Sequence, residues 1–449
     1  MALNVRSLRV VGVLLLCGWF VACGGEEGSA DNGDNQQNTN ANQQDNDGQN
    51  DDNNDRNDDF IDDPQDGCQE TIDRAATFEV PLPDGAETGI VPDVTRVGDE
   101  LWVTYLADID VGEETASKGH MVRMECNGEP IDGPLQLGND VEFDDSPPAL
   151  DTDGSIVYVV WSDGVETDDG AVARLQGMTF ETDGTARSDE PFSIEFEIDG
   201  EMVGELGGPD VAVDHQGNAG VVAVESAGFS SYALFQRIDD RGEPVGGGFY
   251  FDEDGDGETG PTITRRDDNH LFFAYTAETV MHGTIRPDGE AVDEGPEGAE
   301  PAVGSGNDPG AVAVSKNGAG GNTWMAYTLG ATANNTAKVR TGTFVGLRDG
   351  ESTSIDERYS QLVAVTASDN GGAKAWASAE GDQGTIHFRR FQGGGLDTSH
   401  AGPVIDEHDE DLAIGGPDIV WLADEIFVAV WPEEDGLVGR TLDFDREEE

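Results

Sequence analysis

Basic residues are scarce in this chain of 449 residues: 24 Lys and Arg stand against 93 Asp and Glu, only four of the bases are lysines, and the formal net charge is −69. That balance excludes nucleic acid as a partner, because phosphate contacts need basic patches. It also sets the chain against anionic lipid surfaces. The seven histidines, His120, His215, His270, His282, His387, His400 and His408, are scattered, and none sits at zinc-ligand spacing. There is no Gly-x-Ser-x-Gly elbow and no phosphate loop. No segment sustains a helical period. The one long apolar run, Val10 to Ala22, falls short of the ~20 residues a comfortable membrane span needs.

That run is informative in another way. Arg6 and Arg9 precede it with no acid nearby, and small residues follow it. A basic start, a short apolar core and a small-residue cut site make a secretory signal over residues 1–22. Phe20-Val21-Ala22-Cys23 resembles the bacterial lipobox, although Phe20 stands where Leu is usual. The resemblance implies cleavage before Cys23 and diacylglycerol on its sulfur. Two or three acyl chains anchor a protein durably where one would not. Gly24 in place of the Asp that favours inner-membrane retention points, on the same resemblance, to the outer membrane of a bacterial envelope. Plain secretion with Cys23 as a passenger is the competing reading.

Residues 23–67 are almost wholly Asp, Asn, Gln and Gly after the cysteine. Such a stretch buries too little surface to offset the entropy of ordering, which predicts a disordered tether. Its root-mean-square reach is about 35–40 Å, extended further by like charges. The acid excess with little lysine resembles proteins of salty habitats, and that is the plain account of most individual acids.

Residues 68–449 form the body. Segments starting at Pro92, Pro148, Pro209, Pro261, Pro309, Gln361 and Pro417 repeat one grammar. A proline opens each but one, where its missing N–H does least harm to a strand. A short apolar strand follows, such as Val211-Ala212-Val213, then a polar turn such as Asp214-His215-Gln216-Gly217-Asn218. A second strand ends near an aromatic: Tyr105, Trp161, Tyr275, Tyr327 or Trp431. A further hairpin lies downstream in each unit, turned at Asp183-Gly184, Arg241-Gly242, Asp288-Gly289 or Asp349-Gly350, where glycine supplies positive φ. Seven units of four strands predict an all-β, seven-bladed β-propeller. The last unit stops after its third strand at Leu442-Asp443-Phe444, while an orphan strand over Ala76–Leu82 precedes the first. The orphan is expected to complete the last blade and close the ring, which removes an open edge. Two β-sandwiches are the rival fold and leave the repeat unexplained. Pro209 to Val224 and Gly439-Arg440-Thr441-Leu442-Asp443 resemble repeats of a loose class of bacterial surface proteins. That resemblance implies a propeller and no particular activity.

Once Cys17 leaves with the signal and Cys23 carries lipid, Cys68 and Cys126 remain. An oxidising compartment makes a disulfide the expected state, two free thiols being the other reading. Cys126 has no histidine near it in sequence to activate it as a nucleophile. Asp252-Glu253-Asp254-Gly255-Asp256-Gly257 matches the first half of a calcium loop, with oxygens at positions one, three and five and glycine at six. The second half departs, since Ile263 stands where an EF-hand places its bidentate Glu. Asp252, Asp254, Asp256 and Glu258 are the candidate calcium ligands, and calcium is the one cofactor the sequence suggests. Ser315 to Trp324 resembles the Asp-box of sialidases with altered spacing, which implies a turn rather than a catalytic element. The expected function is an envelope-anchored, monomeric binding or scaffold module whose partner is a protein or glycan. The alternatives are a carbohydrate-active enzyme with carboxylates at the propeller channel and a calcium-dependent adhesion module.

Overall fold

The chain divides into two units, Met1–Asp58 and Asp59–Glu449. The computed structural model describes, within the second, Cys68 and residues 77–110, 115–138, 147–167, 170–198, 201–227, 230–251, 259–266, 270–277, 280–286, 300–301, 308–315, 325–330, 339–341, 353–356, 363–368, 371–380, 383–392, 395–396, 404–408, 416–424, 426–433 and 436–443. Cys23 and residues 252–258 lie outside these.

Every named element is a strand. β1 (Thr77–Val80) comes first. The first blade is β2 (Ala86–Val97), β3 (Glu100–Asp110), β4 (Thr115–Glu125) and β5 (Pro130–Leu137), in that order across the sheet. The second is β6 (Ala149–Thr152), β7 (Ile156–Thr167), β8 (Gly170–Glu181) and β9 (Phe192–Ile194). A small hairpin, β10 (Glu197–Ile198) with β11 (Glu201–Met202), leads to the third: β12 (Leu206–Val213), β13 (Ala219–Ala227), β14 (Ser230–Ile238) and β15 (Phe249–Tyr250). The fourth is β16 (Thr259–Arg265), β17 (Leu271–Thr276), β18 (Val280–Ile285) and β19 (Glu300–Pro301). Two separate ladders follow, β20 (Asp308–Val314) with β21 (Met325–Gly330) and β22 (Val339–Thr341) with β23 (Thr353–Asp356). The fifth blade is β24 (Val363–Ser368), β25 (Gly371–Glu380), β26 (Gln383–Gln392) and β27 (Gly395–Leu396), with β28 (Val404–His408) also on β26. The closing blade is β29 (Asp418–Ala423), β30 (Ile426–Glu433), β31 (Gly436–Asp443) and, as its fourth strand, β1.

This is an all-β propeller. Its described residues make six complete blades, not the seven expected. The repeat starting at Pro309 gives two short ladders in place of one four-stranded sheet. The stretches between its strands, residues 316–324, 331–338 and 342–352, lie outside the described ones.

The strands read as they do because a blade is covered on both faces. β17, Leu-Phe-Phe-Ala-Tyr-Thr, is buried at every residue, so it is continuously apolar instead of alternating. The outermost β5 is mostly exposed and breaks its apolar residues with Asp132, Gly133 and Gln136. The core is a series of sandwiches between neighbours, with closing blade against first, first against second, second against third and third against fourth. The fourth packs on β20–β21, and the fifth on the closing blade. Tyr158 of the second blade donates its hydroxyl to Gly217 O in the third-blade turn at 2.8 Å. That turn is set by Asp214, whose carboxylate accepts Gln216 N (2.7 Å) and Asn218 N (3.1 Å) and pairs with buried Arg237.

Ring closure follows the expected route. β1 runs antiparallel to β31, pairing Thr77 with Arg440, Phe78 with Gly439, Glu79 with Val438 and Val80 with Leu437. The first blade helps to hold it. Tyr105 donates its hydroxyl to Pro81 O at 2.6 Å. A Cβ on Gly439 would lie 2.1 Å from the Phe78 ring, and one on Gly128, in the β4–β5 turn, 2.2 Å from Phe78 Cγ. Phe78 therefore occupies the space that two glycines leave, one on the closing blade and one on the first. Cys68 and Cys126 are joined by the expected disulfide, with Cα atoms 5.6 Å apart. Both are fully buried in the core shared by the first and closing blades.

Candidate functional site

The innermost strands meet around the propeller axis: β29 touches β2, then β6, β12, β16, β20 and β24 follow, and β24 returns to β29. Carboxylates recur on them. In three units Asp directly follows the opening proline, as Asp93, Asp210 and Asp418. Each reaches the next blade and accepts the N–H two residues past its opening proline. Asp418 Oδ2 accepts from Val94 N at 2.7 Å, Asp93 Oδ2 from Leu150 N at 3.0 Å, and Asp210 Oδ2 from Ile263 N at 2.9 Å. Asp210 Oδ2 also accepts from the Thr262 hydroxyl at 2.7 Å, and its Oδ1 from Val211 N at 2.8 Å.

The second blade has Ala149 at that position. Its latch is Asp151, two residues further along, which accepts Val213 N at 2.8 Å. Hydroxyls serve elsewhere. Thr366 accepts Trp421 N at 3.2 Å, Thr104 donates to Pro148 O at 2.7 Å, and Thr264 donates to Ser315 O. Arg96 of the first blade donates to Leu422 O of the closing blade. These bonds satisfy backbone groups that inner strands cannot pair within their own sheet, and unpaired buried groups are costly.

Charge is concentrated here. Burial pushes the Asp151 carboxyl up to about 6, with Asp210 adding to the rise while Arg265 and the bonds from Val213 and Thr152 oppose it. Asp210 is likewise pushed up to about 6 by burial, opposed by its bonds from Thr262, Ile263 and Val211 and assisted by the charge of Asp418. Three carboxylates and one guanidinium thus share one field. Asp151 and Asp210 can each hold or release a proton near pH 6.

A pH effect follows. An Asp whose folded pKa is raised contributes stability that is fully present below the ordinary value near 4 and is lost as pH rises through about 6. Asp151→Asn keeps an acceptor oxygen for Val213 N and removes the titration. The variant is therefore expected to gain on the native protein as pH rises from 4 to 7, by on the order of 2–3 kcal/mol. Urea unfolding of both proteins across that range reads the difference directly, and a difference independent of pH contradicts the assignment.

Other sequence candidates have structural roles. His120 is buried, stacks on Tyr105 at 5.8 Å, and is held below the usual imidazole value chiefly by burial. His282 stacks on Phe272 at 5.7 Å and is pushed down to about 4 by burial. His387 stacks on Trp376 at 4.9 Å. Among the described residues no three His, Cys, Asp or Glu side chains group as a metal site. The calcium candidates Asp252, Asp254, Asp256 and Glu258 lie outside the described residues. Their loop joins β15 to β16 and is therefore an inter-blade connection. Phe251, at its start, is buried and stacks on Phe273 at 3.9 Å. Of the Asp-box resemblance, only Ser315 is described.

The inter-blade latches have a sequence signal in the dipeptides Pro92-Asp93, Pro209-Asp210 and Pro417-Asp418, which does not stand out among 93 acids.

The chain matches no protein-family model and no curated protein sequence. Among solved structures it is similar to the polysaccharide lyase Uly1, at 10% identity and a TM-score of 0.47, covering 82% of this chain and 92% of that one. It is also similar to the β-propeller domain of the Trilobed protease from Pyrococcus furiosus, at 10% identity and a TM-score of 0.42, covering 80% and 96%. A thermostable family-43 glycoside hydrolase matches at 11% identity and a TM-score of 0.34, covering 63% and 97%. None of the three bears on what this chain binds. The propeller assignment rests on the sheet order, the circle of inner strands and the closure by β1.

Proposed function

We propose that this protein is a binding scaffold, held to a bacterial envelope by lipid on Cys23, whose propeller presents loops to a protein or glycan partner. The supporting observation is the use made of the inner carboxylates. Asp93, Asp151, Asp210 and Asp418 each bind a backbone N–H of the neighbouring blade. Their chemistry is spent on holding the ring rigid, and a rigid ring is the platform on which loops carry recognition. On this reading the ladders β20–β21 and β22–β23 together hold the seventh blade position. β20 lies against both β16 and β24, and Thr264 bonds to Ser315 beside it.

The anchor has a direct test. Intact mass of the membrane-extracted protein is expected to show cleavage before Cys23 and an added diacylglycerol with or without a further acyl chain, and Cys23→Ser is expected to move the protein to the soluble fraction. An unmodified Cys23 overturns the anchor. The binding role is tested by affinity capture from the native envelope with the mature full-length chain. A saturable protein or glycan partner supports it, and the absence of any partner sinks it.

One observation favours a second reading, a carbohydrate-active enzyme. Burial pushes both Asp151, opposed by the charge of Arg265, and Asp210 up to about 6, which suits a general acid. Turnover of a polysaccharide that is abolished in Asp210→Asn, while folding is kept, would replace the scaffold reading with this one.

A further inference from the structure

The chain is attached to its first blade before it reaches the strand that closes its last. Cys68 precedes Thr77 in the sequence, so any pull from the N-terminal side arrives at Cys68 first. There the disulfide leads it to Cys126, in the turn between β4 and β5. That turn is fixed by Gly128 N to Glu125 O and Glu125 N to Glu129 O, both at 2.8 Å. β4 behind it is paired along its whole length with β3, from Thr115–Asp110 to Glu125–Glu100, and with β5 on its other side. β1, by contrast, holds β31 through four residue pairs.

The two attachments lie close together. Phe78 packs against Gly128, two residues from Cys126, so β1 begins close to the disulfide. The chain from Cys68 to Thr77 is long enough to extend about 30 Å. A pull on Cys68 therefore does not draw this segment taut while the disulfide holds. Both sulfurs are buried between the first and closing blades, so a thiolate in solution reaches the bond only when this seam opens locally.

We infer that Cys68–Cys126 is the mechanical joint between the N-terminal chain and the propeller, and that it keeps tension off the ring-closing strand. Without it, the same pull passes through β1 into β31 and peels the closure. The functional sense of such a joint rests on the anchored reading, because a lipid-held protein is pulled from this end whenever its partner moves. The joint itself is independent of lipid.

The test is force spectroscopy on the mature full-length chain, held by an N-terminal handle and by an azide-bearing side chain introduced at Gly133. That site is on β5, where an added Cβ meets nothing. The load then crosses only the first blade when the disulfide is intact. The oxidised chain is expected to show no unfolding step before the first blade itself unfolds. Cys68→Ser/Cys126→Ser is expected to show an earlier step at lower force, as β1 leaves β31. Should that variant not fold, protein folded oxidised and then reduced by dithiothreitol gives the same comparison. One dithiothreitol thiolate attacks a cysteine sulfur and the other resolves the mixed disulfide, leaving two cysteine thiols and the cyclic oxidised reagent. An identical first step in oxidised and reduced chains overturns the joint, as does an early step in the oxidised chain. Failure to find lipid on Cys23 would remove the anchor and leave this result standing.

Discussion

Val80→Asp is expected to open the ring. Val80 is fully enclosed in the core between the closing and first blades, and its backbone pairs with Leu437. A carboxylate placed there has no basic partner in that apolar cluster. Burying it unpaired costs several kcal/mol, and the four-residue ladder of β1 cannot offset that, so the strand is displaced instead. The expected loss is about 4 kcal/mol or more, seen as a lowered urea midpoint. Partial proteolysis should move to residues 77–86 in the native buffer. Val80→Ile, which keeps the apolar contact, is expected to remain close to the native protein. An unchanged midpoint with Asp at position 80 would mean that β1 is not part of the closed sheet.

The second large effect is expected at Asp210. Truncation to Ala removes the acceptor for Ile263 N and the Thr262 hydroxyl at once, leaving donors at the seam between the third and fourth blades without a partner. The expected cost is about 2–4 kcal/mol. Asp210→Asn retains an acceptor oxygen and is expected to cost far less, which separates the latch from the charge. Asp93 latches a different seam, between the first and second blades. Asp93→Ala and Asp210→Ala should therefore add in the double variant, because the two latches hold different amides at different seams. Equal losses for Ala and Asn at 210 in equilibrium unfolding would contradict the latch.

Much of this fold was legible because a propeller writes its strands into the sequence as a period. The orphan strand before Pro92 and the missing strand after Asp443 were each visible as a mismatch, and together they fix the closure of β1 on β31. The pairing of Cys68 with Cys126 was legible for a related reason. Once the ends meet, a residue before the first strand must lie beside the first blade. The Pro309 repeat reads as a full blade because its inner strand, Val312 to Val314, and Tyr327 fit the grammar. Its described residues form two separate ladders, and the stretches between them lie outside the described ones. The latches were illegible. An Asp that caps a neighbour's N–H has the same identity as an Asp that merely keeps a surface soluble, and only the register of one inner strand against the next tells them apart. Asp151 shows the limit most clearly, since it does the work of the Pro-Asp pairs from a different position in its repeat.

The inner aspartates bind one blade to the next. Residue-resolved amide exchange of the native protein tests this most directly. Val94, Leu150, Val213 and Ile263 are predicted to exchange only through global unfolding, and Asp210→Ala is predicted to release Ile263 while leaving the other three protected. Fast exchange at these four amides in the native protein, or loss of protection at all of them together in the variant, would contradict it.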